Sequence, residues 1–314
     1  MTTNSSFAIL FIENSILQRK KDFSIHTLLT VLTTAIAVII ESLRGWTMKF
    51  RFDQDYHIHS NISQCSGEAK QTPENILMYA KERGLKKIAL TDHFWDETIP
   101  GASSWYSTYH KLTDLKRALP LPKDSEVEFL FGCETDMDKN GVIGISPEHY
   151  ADFDFIIVST THMHMKGFSI TEEAHGDAVV LARLWIERFD KLLASDLPFG
   201  KVGIAHPASR CIAVENNMYL DVLKLIPDEE MYRLFTKARE LGLGIELNGH
   251  DMCLDDENRD IILRPFRIAK KCGCKFYYGS DAHKKREFAA DKNLFPIIEL
   301  LTLTEDDKFV IKKM

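Results

Sequence analysis

The chain has 314 residues, 45% hydrophobic and 27% charged, with a formal net charge of −7. That composition excludes a disordered chain, and the length allows a self-sufficient core in one large domain or two small ones. The acidic balance argues against sequence-independent binding of nucleic acid, which needs a basic footprint.

Six cysteines, at positions 65, 133, 211, 253, 272 and 274, are scattered through mostly apolar runs. Without clustered spacing they give no disulfide framework, and they read as reduced thiols of a cytoplasmic protein. The Cys272–Gly273–Cys274 pair reads as two small, half-buried residues at a helix-to-strand turn.

Residues 1–47 differ in character from the rest of the chain. After Arg19, Lys20 and Lys21, the stretch from Ile25 to Ile40 is apolar except for one His and several threonines. It is short of the roughly 20 apolar residues a membrane span needs, so no membrane partner is expected. Its basic flank and the Ala35–Ile36–Ala37 triplet resemble a signal peptide. Met48 opens a complete strand, MKFRFDQDYHIHS. The upstream segment therefore reads foremost as sequence before the true start, and otherwise as a dispensable helical extension, a signal or an anchor. The domain proper is expected over 48–314.

From Met48 the chain alternates strand and helix. DYHIH is a strand ending on His57 and His59. TPENILMYAKERG is next, a helix with Thr72 as cap, Pro73 at the first position and Gly84 closing it. KIALTDH ends on Asp92 and His93, and a helix is expected from about Tyr106 to Ala118. VEFLFGCE ends on Glu134 and FIIVSTTH on His162, before a long helix from about Thr171 to Ala194. KVGIAHP carries His206, and a helix from about Asn217 to Leu241 leads into LGIELN, ending on Glu246 and Asn248. Asn258 to Cys272 reads as helix, KFYYGSDAH ends on Asp281 and His283, and a last helix lies near Asp291 to Leu301. Seven strands separated by helices predict an α/β fold with a parallel sheet, closed as an irregular seven-stranded (β/α) barrel. No repeat, low-complexity tract or Pro/Gly linker divides it.

The strand ends carry the chemistry. His57 and His59 are two apart, so an extended strand turns both imidazoles to one face. Glu134 ends so apolar a run that its carboxylate must be paired or bind a cation, because unpaired burial is costly. His206 precedes Pro207, which disfavours helical geometry before it and predicts an extended exit. Asp281 and His283 repeat the two-residue spacing of the opening pair. Metal-accepting residues at nearly every strand end predict a polynuclear metal centre at the C-terminal edge of the barrel.

The ordered series HIH, TDH, GCE, His162, HP and SDAH, spread over Met48 to about Leu300, resembles the PHP (polymerase and histidinol phosphatase) superfamily. The resemblance implies a distorted (β/α)7 TIM-like barrel with two or three divalent metal ions, Zn, Mn or Fe. It implies one metal on His57, His59, Glu134 and Asp281. Glu134 would bridge to a second on His162 and His206, with His93 and His283 contributing to a third. One departure stands out: where trinuclear relatives carry a His six residues after HxH, this chain has Cys65, preceded by Gln64. Cys65 is either a thiolate ligand or an ordinary loop residue, and His164, on the face of His162, either a ligand or a support.

Two close divalent ions would lower the pKa of a water between them and clamp a phosphoryl group. The expected reaction is hydrolysis of a small phosphomonoester by a metal-bridging hydroxide, with charge at the phosphoryl oxygens offset by the metals. Asp92 or Asp281 is the candidate for proton transfer. Arg210 and Lys166 are candidate phosphate clamps, or else solvated surface cations. Asn248 is expected to contribute an amide to the pocket, and Glu246 to sit in the barrel interior. Trp95, Trp105 and Tyr106 form either a lid or rim packing. The compact segment Phe94 to Glu128 resembles the histidinol phosphatase branch, which makes L-histidinol phosphate the leading substrate. The alternatives are a nucleotidase or phosphodiesterase, and a non-catalytic metal-binding regulatory module. Nothing in the sequence selects an oligomeric state.

Overall fold

Short, largely apolar runs between amphipathic helices curl into a parallel barrel in the computed structural model, which describes residues 49–252, 254–255 and 257–312. The strands are β1 (Gln54–Ile58), β2 (Lys87–Leu90), β3 (His93–Phe94), β4 (Glu128–Asp136), β5 (Phe155–Ser159), β6 (Val202–Ile204), β7 (Gly244–Asn248) and β8 (Lys275–Gly279). Seven run in the order β1-β2-β4-β5-β6-β7-β8, and the two-residue β3 pairs with β4 beyond the end of β2. His59 N donates to Ala282 O (3.1 Å) and Asp281 N to His57 O (2.8 Å), which joins the ends of β1 and β8. The expected α/β barrel is therefore present, with one small added strand.

Helix boundaries depart from expectation wherever a local residue overrides periodicity. Thr72 caps α1 (Pro73–Glu82) as expected, its Oγ1 accepting from Asn75 N. The single helix expected over Tyr106–Ala118 is α2 (Ser104–Tyr109), α3 (Leu112–Leu115) and a 3-10 turn. The break falls where His110 leaves helical geometry, at φ −130° and ψ 42°. The long helix starts late: Gly176 (φ +83°) turns the chain, and Asp177, not Thr171, caps α4 (Ala178–Leu193). Pro227 holds Ile226 extended (ψ 121°) and splits the next helix into α5 (Met218–Leu225) and α6 (Asp228–Leu241). The helix α7 (Arg259–Lys271) comes after β7, and α8 (Leu294–Leu300) is preceded by a 3-10 stretch from Lys285 to Asn293.

The barrel has two cores. Outward residues such as Ile156, Val158, Ile204, Ile245 and Leu247 pack against Trp185, Phe189, Leu234 and Phe266 of the helices. Inward, Tyr56, Ala89, Ile157, Ala205 and Tyr277 form a plug that Phe309 and Ile311 complete. Phe309 N donates to Phe276 O (2.7 Å) and Lys312 N to Gly200 O (2.9 Å), so the C-terminal tail closes the end where strands begin. Above the plug the interior turns polar. A register shift between Asp55 and Ile58 lets both Tyr56 and His57 reach it, although they are neighbours in β1.

Among the described residues no helix is long and apolar enough to cross a membrane. The expectations for residues 1–47 lie outside the described residues.

Candidate metal centre

Glu134 sits at the centre of the polar mouth. It is 1% exposed, and its two oxygens face different histidines. Oε2 lies 3.3 Å from His57 Nε2, 3.3 Å from His59 Nε2 and 3.1 Å from His93 Nδ1. Oε1 lies 3.3 Å from His206 Nε2 and 3.9 Å from His162 Nε2. Asp281 Oδ1 completes the inner side, 3.3 Å from His59 Nε2 and 3.5 Å from His57 Nε2.

Five imidazoles are oriented from behind. His57 Nδ1 donates to Glu246 Oε1 (2.7 Å) and His162 Nδ1 to Asp136 Oδ1 (3.0 Å). Thr161 Oγ1 donates to His206 O (3.1 Å) and so accepts from His206 Nδ1 (2.9 Å). Ser63 Oγ donates to Asp92 Oδ1 (2.6 Å) and so accepts from His59 Nδ1 (3.2 Å). His283 Nδ1 donates to Asp281 O (2.8 Å). With each Nδ1 engaged from behind, Nε2 is the nitrogen turned to the centre, where it can carry a proton or bind a metal, the arrangement that partners behind a ligand produce at metal sites.

The donor set fits divalent metal. His57 Nε2 and His59 Nε2 approach to 3.1 Å, a contact that needs a proton or a cation between the two nitrogens. The electrostatics agree. Burial works to lower His57, His59 and His206, yet the carboxylates around them prevail, holding His57 well above the usual range and the other two at about 9. Burial likewise works to raise Glu134 and Asp281, yet the histidines hold both well below the usual carboxylate range. The inner positions thus favour positive charge, whether as protons or as cations, whereas at the rim burial prevails and lowers His93 and His283. Among the described residues, three sets of ligand atoms lie within 4.8 Å of one another: His57, His59 and Glu134; Glu134, His162 and His206; and His59, Cys65, His93 and His283.

Backbone geometry contributes. Asp281 (φ +53°) and His206 (φ +28°) are both left-handed, a conformation costing non-glycine residues roughly 1–2 kcal/mol. The extended exit expected for His206 is therefore corrected. Its N–H donates to Glu246 Oε2 (2.6 Å), which holds the turned conformation against the extended bias of Pro207. Gly279 has a spatial reason: a Cβ there would collide with Glu246 Oε1 and His57 Cβ.

Other expected residues fall in different places. Asp92 lines neither cavity at the mouth. Its oxygens accept from Ser60 N (2.7 Å), Ser60 Oγ (2.6 Å) and Ser63 Oγ (2.6 Å), so it braces His59 through Ser63 instead of facing the reaction volume. Lys166 is exposed on the turn closed by Gly167 and also lines neither cavity. One cavity of about 400 Å³ is lined by Arg210, Asn248, His250, Asp251, His206 and Asp281. A second of about 400 Å³ is lined by Cys65, His93, Trp105, His162, His164 and Asp281. Arg210 is exposed, its guanidinium 5.9 Å from the Tyr219 ring centre. Asn248 accepts from His250 N (2.9 Å) and shapes that loop. His164 Nδ1 is buried without a partner. Trp95 is 1% exposed and forms core, so it is no lid; Trp105 stacks on His110 with ring centres 3.8 Å apart.

Sequence reasoning missed the braces. Asp136 also accepts from Tyr106 OH. Asp251 lines the first cavity, and burial, against the pull of His206, pushes it up to about 7. Arg188, on α4, is buried and donates to the carbonyls of Met137, Asp138, Thr160 and Ser169. It staples the loops after β4 and β5 beneath the mouth.

The profile of the PHP domain family matches residues 55–250. A protein from Caldicellulosiruptor saccharolyticus called "Probable phosphatase" is 25% identical over 226 residues, 72% of this chain and 79% of that protein. A "Probable phosphatase" of Thermoanaerobacter sp. (strain X514) is 28% identical over 262 residues, 80% of this chain and 87% of the other. Among solved structures, the histidinol phosphate phosphatase of Lactococcus lactis, complexed with zinc, L-histidinol and phosphate, superposes with a TM-score of 0.52. That match covers 83% of this chain and 99% of the other at 16% identity, a likeness of fold.

Proposed function

Because the chain belongs to the PHP domain family, we propose that it is a metal-dependent phosphatase acting on a small phosphomonoester. L-histidinol phosphate is the first candidate substrate. The observation that carries this reading is Glu134, which aims one oxygen at His57 and His59 and the other at His162 and His206. The relatives' printed names and the ligands of the Lactococcus lactis protein support it.

His57, His59, Glu134 and Asp281 would hold one divalent ion, and Glu134, His162 and His206 a second, with Zn, Mn and Fe all suited to imidazole and carboxylate. When bound, such ions supply Lewis acidity toward a phosphoryl oxygen and acidify an attacking water. The chain's own residues do the positioning. Glu246, Asp136, Thr161 and Ser63 fix the imidazoles, so little reorganisation is needed when substrate arrives. Asp281 lines both cavities but is held ionised by the surrounding histidines, as suits a metal ligand; Asp251, raised to about 7 by burial, is the carboxylate of the first cavity able to hold a proton for the leaving oxygen. Arg210, Asn248 and Asp251 line the cavity beside the centre, where Arg210 would meet a phosphate and the other two the rest of the substrate. The cavity of about 400 Å³ is within the range that holds a small metabolite.

Initial rates on a panel test the reading: L-histidinol phosphate, nucleoside monophosphates, sugar phosphates and one diester, with the metal-stripped full chain reconstituted in Mn or Zn. The proposal expects monoesters to be cleaved and the diester left intact, with histidinol phosphate about a hundredfold ahead, roughly 2.7 kcal/mol in kcat/KM. A preference for the diester would overturn it. A different preferred monoester would keep the phosphatase and discard the substrate.

A further inference from the structure

We propose that Cys65 is a thiolate ligand that gives the third metal position, implied by the family resemblance on His93 and His283, a sulfur of this chain's own, making that rim position selective for zinc or another thiophilic divalent ion. The inference goes beyond the phosphatase reading and stands whether or not the chain cleaves phosphate esters.

Cys65 Sγ lies 3.1 Å from His283 Nε2. Because His283 Nδ1 donates to the Asp281 carbonyl, that Nε2 carries a lone pair aimed at the sulfur. Cys65, His59, His93 and His283 each offer an atom within 4.8 Å of the others, so the sulfur belongs to a four-residue cluster. His59 is already committed: its Nε2 faces His57, Glu134 and Asp281, and its Nδ1 is held by Ser63. Cys65, His93 and His283 remain as the rim site's own ligands.

The loop is tied down on both sides of the cysteine. Gln64 N donates to His110 Nε2 (3.2 Å), and Ser66 Oγ donates to His283 O (2.7 Å). The second bond locks Cys65 to the very segment that carries its histidine partner. Cys65 itself is exposed, whereas His57, His59 and Glu134 are 0–1% exposed. The centre is thus divided chemically. The inner positions offer nitrogen and carboxylate oxygen, which Mn, Fe and Zn all accept. The rim offers one sulfur and two nitrogens, a set that favours zinc over harder ions and leaves a fourth position open.

Cobalt(II) reads a thiolate directly. The full chain, stripped of metal and titrated with Co²⁺, should develop a sulfur-to-cobalt charge-transfer band in the near ultraviolet. Cys65→Ser should remove that band and lower bound cobalt by one equivalent, with the inner equivalents retained as evidence of an intact fold. Cys65→His should restore the equivalent without the band. No band in the wild type would overturn the assignment. So would a band that survives in Cys65→Ser, pointing to another thiol such as Cys211, which lines both cavities. An unchanged cobalt count in Cys65→Ser would overturn it as well. None of these outcomes depends on turnover.

Discussion

The two ends of this barrel use polar groups in opposite ways. At the end where strands begin, charged groups near the tail are paired with one another: Lys308 bonds Asp53 and Glu305, and Lys270 bonds Asp307. That end also has a cavity of about 560 Å³, bordered by Lys87, Tyr150 and Lys201. The buried ammonium of Lys201 is already used by the carbonyls of Tyr150 and Phe153. At the other end, Glu134 and Asp281 are gathered with six imidazoles whose lone pairs converge. The first arrangement is complete in itself, and the second calls for added positive charge. Conserving stability and hosting chemistry are thus separated along one barrel axis, with the apolar plug of Tyr56, Ile157, Tyr277 and Phe309 between them.

That separation can be broken by substitution. The largest effect is expected from Glu134→Ala, which removes ligand atoms from two groups at once. Hydrolysis of the preferred ester should fall at least about a thousandfold, roughly 4 kcal/mol, together with the metal content. Retained activity, checked by initial rates and elemental analysis on one preparation, would remove the inner centre from the mechanism. Phe309→Ala probes the opposite end. It should cost about 3–5 kcal/mol by urea denaturation, as large-to-small core changes do. Metal stoichiometry should not change at temperatures where the variant is folded, and loss of metal there would mean that the two ends are coupled.

Glu246→Gln sharpens the comparison, because it keeps the volume but weakens the anchor of His57 and the acceptor for His206 N. Metal affinity should fall about 10–100-fold, the usual effect of a partner behind a ligand. Competition with a chelator would measure it, and an affinity within twofold of wild type would contradict the bracing role. The smallest effect belongs to Asp307. Against partial burial, the hydrogen bond from Lys270 holds its carboxyl below the usual range. A depressed carboxyl gives stability that is present above the unfolded value of 3.8 and lost as pH falls further. Asp307→Asn should therefore cost about 0.5–1 kcal/mol at pH 7, and the difference from wild type should close below about pH 4. A gap unchanged between pH 7 and pH 3 would exclude the ion pair as its source.

The barrel was legible because its strands are short, apolar and regularly spaced between capped helices. The residues that converge on Glu134 were legible for a related reason: a residue that ends an apolar run also ends a strand, and parallel strands bring those ends to one place. The braces were not legible. Glu246 supports His57 across 189 positions, and Ser63 links Asp92 to His59 through a loop with no periodic signature. Asp136 did carry a signal, since it stands two residues beyond Glu134 on the same strand and so on the same face. The catalytic role expected of Asp92 came from its place beside His93, yet Ser60 and Ser63 draw its side chain into the loop. Lys166 and Arg210 stand out by charge and proximity in sequence, which does not decide which way a turn points: Arg210 lines a cavity at the mouth and Lys166 does not. Arg188 could not be found at all, because its partners are backbone carbonyls and carry no sequence mark.

The most direct test of the central claim is the number of zinc ions bound per chain. The full-length protein would be stripped, reconstituted, desalted and measured by elemental analysis beside Glu134→Ala. Two or more tightly held equivalents in the wild type, with about two fewer in the variant, are what convergence on Glu134 predicts. Less than one equivalent in the wild type, or the same count in both proteins, would contradict it.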